Sequence, residues 1–345
     1  MPPRTTCRRI ALVAMVLATG SVAAPANAAD YYAGKTIDFI IGNFPGGGFD
    51  IYARALARHF NRHVPGKPNI VVKNLPGAGS AKAGHQVSQV SPKDGLTIGG
   101  VTPGAITGPL LEGKPNKLFD ASQVTWIGTI NVGTRICATF GNAKAKTFDQ
   151  VMTQKTVFAG VAPGDATLDL AYMVKRTTGA NIDVIAGYKG TQGVTLAVER
   201  GEADGVCGWD WSSAKAMKPD WIRDGKLNFL LQIGPQDHPE LTKMGAPPLW
   251  NFIKTEDNRK VAELIISQQN FQRPYFVAKE TPPELVAILR TAFDATMKDP
   301  QFLADAAKLH IDVSPLPGAR VQQLIGTFFS TPQSIVEQAR QAIRP

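Results

Sequence analysis

Phe44-Pro-Gly-Gly-Gly-Phe-Asp50 separates a β-rich run, residues 36–41, from a helix-like pattern over 51–64. The same order of strand, Pro-Gly turn and helix recurs along the chain. Leu75-Pro-Gly-Ala-Gly-Ser80 stands between a strand pattern at 70–73 and a helical one at 80–90, and Thr102-Pro-Gly104 follows the strand pattern 96–101. Ala162-Pro-Gly-Asp165 follows the strand pattern 156–161. Four of the six Pro-Gly pairs therefore fall directly after a predicted strand. In an open α/β sheet these turns gather at the carboxyl edge of the strands, where ligands bind.

Outward from these turns, 36–101 reads βαβαβ, the pattern of a mostly parallel sheet covered by helices. A second series has strand patterns at 135–140, 156–161, 182–186, 205–209 and 227–233, with helical segments at 167–176 and 192–200. The chain then becomes mainly helical apart from 275–278. The expected fold class is α/β, two units joined by extended crossings. The expected division is 29–130 for the first part of lobe 1, 131–234 for lobe 2, and 235–345 for the second part of lobe 1 with C-terminal helices.

Glycine in such turns permits positive φ and lets a ligand approach backbone N–H groups. Those groups lie beside helix N-termini, whose unpaired donors and dipole favour an anion. Asp50, Ser80 and Asp165 stand where each would cap a helix. Asp50 and Asp165 also read as cleft carboxylates for a ligand ammonium group. Trp209-Asp210-Trp211 follows a predicted strand, and its rings read equally as pocket wall or lobe core.

Composition bounds the function. Of 345 residues 43% are hydrophobic and 19% charged, which excludes disorder of the whole chain, and 33 Gly and 25 Pro stay short of a low-complexity bias. The formal charge of +9 becomes +6 without residues 1–28, which carry three Arg and no acid, and a charge of that size favours anionic ligands in general. No block of five or six Lys or Arg marks a nucleic-acid partner. Arg4, Arg8 and Arg9 precede an apolar run, 10–18, and Ala26-Asn27-Ala28 has the form of a signal-peptidase site. An exported chain cleaved after Ala28 is expected, with periplasmic localisation. Cys137 and Cys207 remain after cleavage, and two readings stand open: a disulfide, or two small buried residues within strands.

Several catalytic motifs fail on inspection. The phosphate-loop match from Gly108 to Lys114 continues with Pro115 where Ser or Thr is required, and Gly77-Ala-Gly79 has Lys82 in place of the third glycine of a dinucleotide fingerprint. Ser212-Ser-Ala-Lys215 lacks its companion motifs, and no Gly-x-Ser-x-Gly is present. His59 and His63, four apart with Arg58 and Arg62 interleaved, read as a half-exposed helix face. No metal, no cofactor and no catalytic residue is expected.

Several of these segments together resemble the receptors of tripartite tricarboxylate transporters, the Bug or tricarboxylate-binding family. The likeness rests on the run from Phe44 to Asp50 followed by Ala53-Arg54, on Val72-Lys-Asn-Leu-Pro-Gly-Ala-Gly79, and on Ser91-Pro-Lys-Asp-Gly-Leu-Thr97. Gly187-Tyr-Lys-Gly190, the segment 197–205 and Thr281-Pro-Pro-Glu-Leu-Val286 extend it over essentially all of 30–320. The resemblance implies a periplasmic-binding-protein-like fold whose two lobes close on a small organic acid. It implies large and small membrane transporter subunits as partners; a monomer without a nucleic-acid partner is expected beside it.

The resemblance implies as ligand residues Gly46, Gly47, Gly48, Gly77, Ala78, Gly79 and Ser80 in the first lobe and Gly164, Asp165, Ala166, Thr167 and Tyr188 in the second. Position at the strand ends adds Phe44, Asp50, Thr102, Gly104, Trp209 and Asp210 as expected ligand residues. The sequence departs from the family pattern at Gly164-Asp165, where Gly-Ser is usual, at Trp209-Asp-Trp211, and in lacking a Pro-Thr segment between 235 and 255. A sensor of the same fold, or a secreted hydrolase, is the alternative.

Overall fold

The computed structural model describes residues 31–46, 48–113 and 116–345. The expected leader with its cleavage site, Gly47 and the Lys114-Pro115 pair lie outside them. The chain runs through β1 (Thr36–Ile41), α1 (Gly48–Phe60), β2 (Asn69–Asn74), α2 (Ala81–His85), β3 (Thr97–Gly100), α3 (Pro103–Glu112) and β4 (Val124–Thr129). After a crossing come β5 (Arg135–Phe140), α4 (Phe148–Thr153), β6 (Thr156–Ala159), α5 (Ala166–Thr178), β7 (Ile182–Ile185), α6 (Gly190–Glu199), β8 (Gly205–Asp210), α7 (Trp211–Met217), α8 (Pro219–Arg223) and β9 (Leu227–Ile233). The remainder is α9 (Pro239–Lys243), α10 (Glu256–Ile266), β10 (Pro274–Ala278), α11 (Pro283–Thr296), α12 (Pro300–Lys308), β11 (Leu316–Pro317), α13 (Gly318–Phe329) and α14 (Gln333–Ala342). Helix α3 and strand β4 lie where no element was read from the sequence.

Two sheets result, ordered β11-β4-β10-β3-β1-β2 and β7-β6-β8-β5-β9. In the first, β2, β1 and β3 are parallel and β10 enters antiparallel beside β3. In the second, β7, β6 and β8 are parallel and β5 enters antiparallel beside β8. Each sheet thus receives, against its parallel set, a strand that arrives from the other sheet. An antiparallel entrant starts where its parallel neighbour ends. The first residues of β5 and β10 are thereby delivered to the carboxyl edge, and register places Arg135 opposite Asp210 and Tyr275 opposite Gly100.

Apolar alternation fixes which face each strand buries. Phe39 and Ile41 meet Tyr52, Leu56 and Phe293 on one side of the first sheet, while Ile40, Trp126 and Phe276 pack on the other. In the second sheet Cys137, Phe158 and Cys207 pack with α5, and Ile136, Val206 and Trp209 with α6 and Trp221. Helices α10 and α14 pack on each other and on α5, so the segment after 235 returns to the first sheet yet also covers the second. Cys137 and Cys207 are register partners and form a disulfide. Both open readings meet here, since the paired residues are also buried within strands, and closing a loop of 70 residues is worth about 4 kcal/mol in the chain-entropy account.

His59 and His63 pair with Asp305 and Asp299, which Arg58 and Arg62 share, and so fasten α1 to α12. On one side of the crossings the lobes touch directly. The Tyr52 hydroxyl of α1 lies 3.3 Å from Ser212 Oγ, and Lys215 Nζ reaches Asp312 at 2.8 Å and Glu240 at 2.9 Å. Among the described residues no helix is long and apolar enough to cross a membrane.

Gly208 is one of two glycines of β8, with Gly205, that have backbone packed against them. Its φ is +86°, and a Cβ there would collide with the carbonyl oxygen of Ala166. Gly208→Ala is expected to cost about 2 kcal/mol or more, read as a lower urea midpoint at unchanged slope. An unchanged midpoint would contradict this packing.

Candidate functional site

The first glycine loop carries the chain from β1 into α1. Gly46 turns with φ +78°, and the helix begins at Gly48, two residues before the expected cap. Asp50 therefore lies inside the first turn. Its carboxylate accepts from Gly46 N–H and Arg54 Nε at 2.9 Å, and from Asn74 Nδ2 at 2.9 Å. Burial raises this carboxyl, but those partners outweigh it and hold it below its usual value. Asp50 braces the loop, which corrects its reading as a cap.

Ser80 is corrected as well. It caps no helix; its Oγ donates to Gly42 O at 3.1 Å from a left-handed backbone, φ +81°. Gly77, Ala78 and Gly79 also have positive φ, and Thr102 Oγ1 donates to Gly79 O at 3.0 Å. Ala and Ser rarely adopt that region, so this run is strained and held by its neighbours. The third Pro-Gly pair is no turn at all, since Pro103 opens α3 at a position that needs no N–H.

In the second lobe the cap read from the sequence at Asp165 holds, and Asp210 is a cap that the sequence reading did not name. Asp165 precedes α5 and accepts from Thr167 N at 2.9 Å and Thr167 Oγ1 at 2.6 Å. Asp210 precedes α7 and accepts from Ser213 N at 2.9 Å and Ser213 Oγ at 2.8 Å.

These ends surround a cavity of about 340 Å³ between the sheets. From the first lobe Gly48, Thr102 and Gly104 reach its wall, and from the second Gly164, Asp165, Ala166, Thr167, Trp209 and Asp210. Phe44, Gly46, Asp50, the run Gly77, Ala78, Gly79 and Ser80, and Tyr188 do not. Phe44 is 75% exposed, and the Tyr188 hydroxyl donates to Glu202 at 3.1 Å. Trp209 both lines the cavity and belongs to the core, whereas Trp211 is buried with Nε1 donating to Glu240.

The sequence reading missed the residues that charge the cavity, Arg135 and Arg273. Arg135 Nη1 donates to Gly208 O at 3.0 Å. Arg273 is 9% exposed, stacks over Tyr52 and Phe49, and donates from Nη1 to Gln272 O at 2.9 Å. Burial raises the Asp210 carboxyl, but both guanidiniums and Ser213 outweigh it and keep the group below its usual value. Burial lowers Arg135, opposed by Asp210 and Asp165.

Three residues of this wall carry buried N–H groups without a partner: Arg273 at Nε, Gln272 at Nε2 and Trp209 at Nε1. Asn43 Oδ1 is an unpartnered acceptor on the same wall. Unmet buried donors are costly unless something answers them. With Arg135 and Arg273 on the same wall, the cavity is basic and rich in donors, which suits it to an acceptor-rich molecule.

The candidate nucleophiles have structural work. Ser80 Oγ serves Gly42, and Ser212 Oγ lies at 3.3 Å from both Asp210 Oδ1 and the Tyr52 hydroxyl. Histidine is absent from their partners among the described residues.

Comparison with known proteins fits this architecture. BugT of Bordetella pertussis is 30% identical over 256 residues, covering 70% of this chain and 74% of that protein. The chain belongs to the Bug, or tricarboxylate-binding receptor, family. No family model matches it. A TctC solute-binding protein from Polaromonas superposes with a TM-score of 0.66 at 19% identity, over 89% of this chain and 99% of that one. R. palustris Rpa4515, solved with adipate, superposes with 0.65 at 16% identity, over 88% and 97%. The fold is that of periplasmic binding proteins, among them BugD and the TctC solute-binding protein.

A second cavity of about 330 Å³ adjoins the first, with Gly104, Gly164 and Gln268 on both walls. Asp169, 9% exposed, accepts there from Gly164 N–H at 3.1 Å. Burial, seconded by Asp165 and Glu112 against that hydrogen bond, pushes its carboxyl up to about 7. The folded value exceeds the unfolded one, so ionisation of Asp169 removes stability as pH rises from about 4 to about 7. Asp169→Asn keeps an oxygen for Gly164 and is expected to gain on the wild type across that window. Equal differences in melting temperature at pH 4.5 and 7.5 would contradict the assignment.

Proposed function

We propose that this protein is an exported solute receptor that captures a small organic carboxylate between its lobes and delivers it to the large and small membrane subunits of a tripartite transporter. The observation that carries the reading is the pair of guanidinium groups, Arg135 and Arg273, on the wall of one cavity between the sheets, beside the donor-bearing side chains of Gln272 and Trp209. A carboxylate offers four lone-pair sites and a negative charge, and charge-assisted hydrogen bonds to buried guanidinium are the strong ones. Gly48 at the start of α1 and the capped start of α5 add backbone dipoles of the right sign. The adipate in the R. palustris relative supports the same ligand class.

In this reading the receptor works as a periplasmic monomer after cleavage at Ala28. Lobe 2, residues 131–234, moves against 29–130 and the returning segment about the crossings near Asn131 and Gly234. The ligand biases the closed form because it touches both lobes, and the transporter subunits read that form.

A thermal-shift screen of organic acids tests the reading. A ligand at 100 times its dissociation constant adds about 2.7 kcal/mol, a rise of several degrees. Arg273→Met is expected to weaken the best acid about 10- to 100-fold. An unchanged melting temperature with every acid at millimolar concentration, or full affinity in folded Arg273→Met, would overturn it.

A further inference from the structure

Arg273 stands on the cavity wall, and Tyr52 of α1, which is not on that wall, supports it from the core. The guanidinium carbon lies 4.8 Å from the centre of the Tyr52 ring, within the range of a cation–π contact. Arg273 Nη2 lies 3.5 Å from the point where a Cβ on Gly48 would stand. Gly48 and Tyr52 are four residues apart and so share one face of α1. That face locates the guanidinium, Tyr52 through its ring and Gly48 at the wall.

The hydroxyl end of Tyr52 is engaged elsewhere. It donates to Asp312 O at 3.0 Å and accepts from Asp312 N at 3.0 Å, and Ser212 Oγ lies 3.3 Å away. Burial, against Arg273 and Ser212, pushes this hydroxyl up to about 12, so it keeps the proton that it donates. With that proton spent on Asp312, the Ser212 hydroxyl is the donor of the third contact, its one proton shared between Tyr52 and Asp210 Oδ1, also at 3.3 Å. Ser212 belongs to α7 of the second lobe, and Asp210, the cap of α7, stands on the cavity wall. Lys215 of the same helix holds the Asp312 carboxylate at 2.8 Å. Helix α7 is thus tied to Tyr52 directly and through Asp312. Packing alone accounts for a buried tyrosine, but here the two ends serve groups of different lobes that face one cavity.

Resting on the organic-acid reading above, we propose that Tyr52 is a positioning residue of the receptor: its ring holds the Arg273 guanidinium where the ligand's carboxylate meets it, and its hydroxyl refers that position to the second lobe through Ser212 and Asp312. A shift of α7 with the second lobe is then felt at Arg273, and the grip on the ligand depends on lobe position through a residue that the ligand does not touch. The two ends are separable. Tyr52→Phe keeps the ring face and loses the tie to α7, Tyr52→Leu loses both, and Ser212→Ala cuts the direct link alone.

Calorimetric titration of the purified protein with hexanoate, adipate and citrate tests this, using whichever binds the wild type most tightly. Tyr52→Leu is expected to weaken binding about tenfold, and Tyr52→Phe and Ser212→Ala about threefold each. A double-mutant cycle separates positioning from general loss of packing. In Arg273→Met the same substitutions should change affinity by less than about twofold, because the group they position is gone. Tyr52→Phe, which leaves the ring in place, is the check should Tyr52→Leu fail to fold. Full affinity in folded Tyr52→Phe, or equal losses with and without Arg273, would overturn the proposal. Absence of binding of all three acids to the wild type would instead count against the organic-acid reading itself.

Discussion

A guanidinium buried between two sheets with one N–H unanswered is the constraint on which the rest of this structure turns. Arg273 occupies that position because β10 enters the first sheet antiparallel and so begins at the carboxyl edge of β3. Arg135 stands at the matching place because β5 enters the second sheet in the same sense beside β8. The two crossings that join the lobes therefore also carry the charges of the cavity. Asp210, opposite Arg135 in register and cap of α7, keeps that charge from standing alone. No ion pair closes between Asp210 and either arginine, and a ligand can enter without first breaking one.

The glycine loops serve this arrangement in two different ways. Those of the second lobe, with Gly164 and the residues after it, come to the cavity wall. In the first lobe the loop around Gly46 and the strained run Gly77 to Ser80 mostly hold one another. Asp50 ties Gly46 to Asn74, Ser80 ties itself to Gly42, and Thr102 ties Gly79 to the start of α3. The strain in Ala78 and Ser80 is thus borne by a network next to the turn that brings Gly48 to the cavity wall.

Much of the fold was legible in the sequence because it rests on local pattern. Strand periodicity placed most of the strands of both sheets, and the Pro-Gly turns marked the edge where the cavity lies. Local rules failed where the decisive contact is distant. Asp50 and Ser80 have cap spacing, but Asn74 and Gly42 claim their side chains. Strand β4 and helix α3 escaped because β4 pairs with β10 and β11, far along the chain, and α3 starts with a Pro-Gly pair that resembles a turn. Arg135 and Arg273 carry no motif. Their meeting follows only from the antiparallel entry of both crossing strands, and a basic residue at the start of each such strand is the signal that would have revealed them.

The central claim is that the unpartnered donors of the cavity hold the ligand's carboxylate, and side-chain nitrogen resonances report on it directly. In ¹⁵N-labelled protein, titration with the best-binding organic acid should shift the Arg273 Nε–H, Gln272 Nε2–H₂ and Trp209 Nε1–H signals together and slow their exchange with water. Saturating binding of the acid with all three signals unmoved would place the ligand elsewhere and contradict the account.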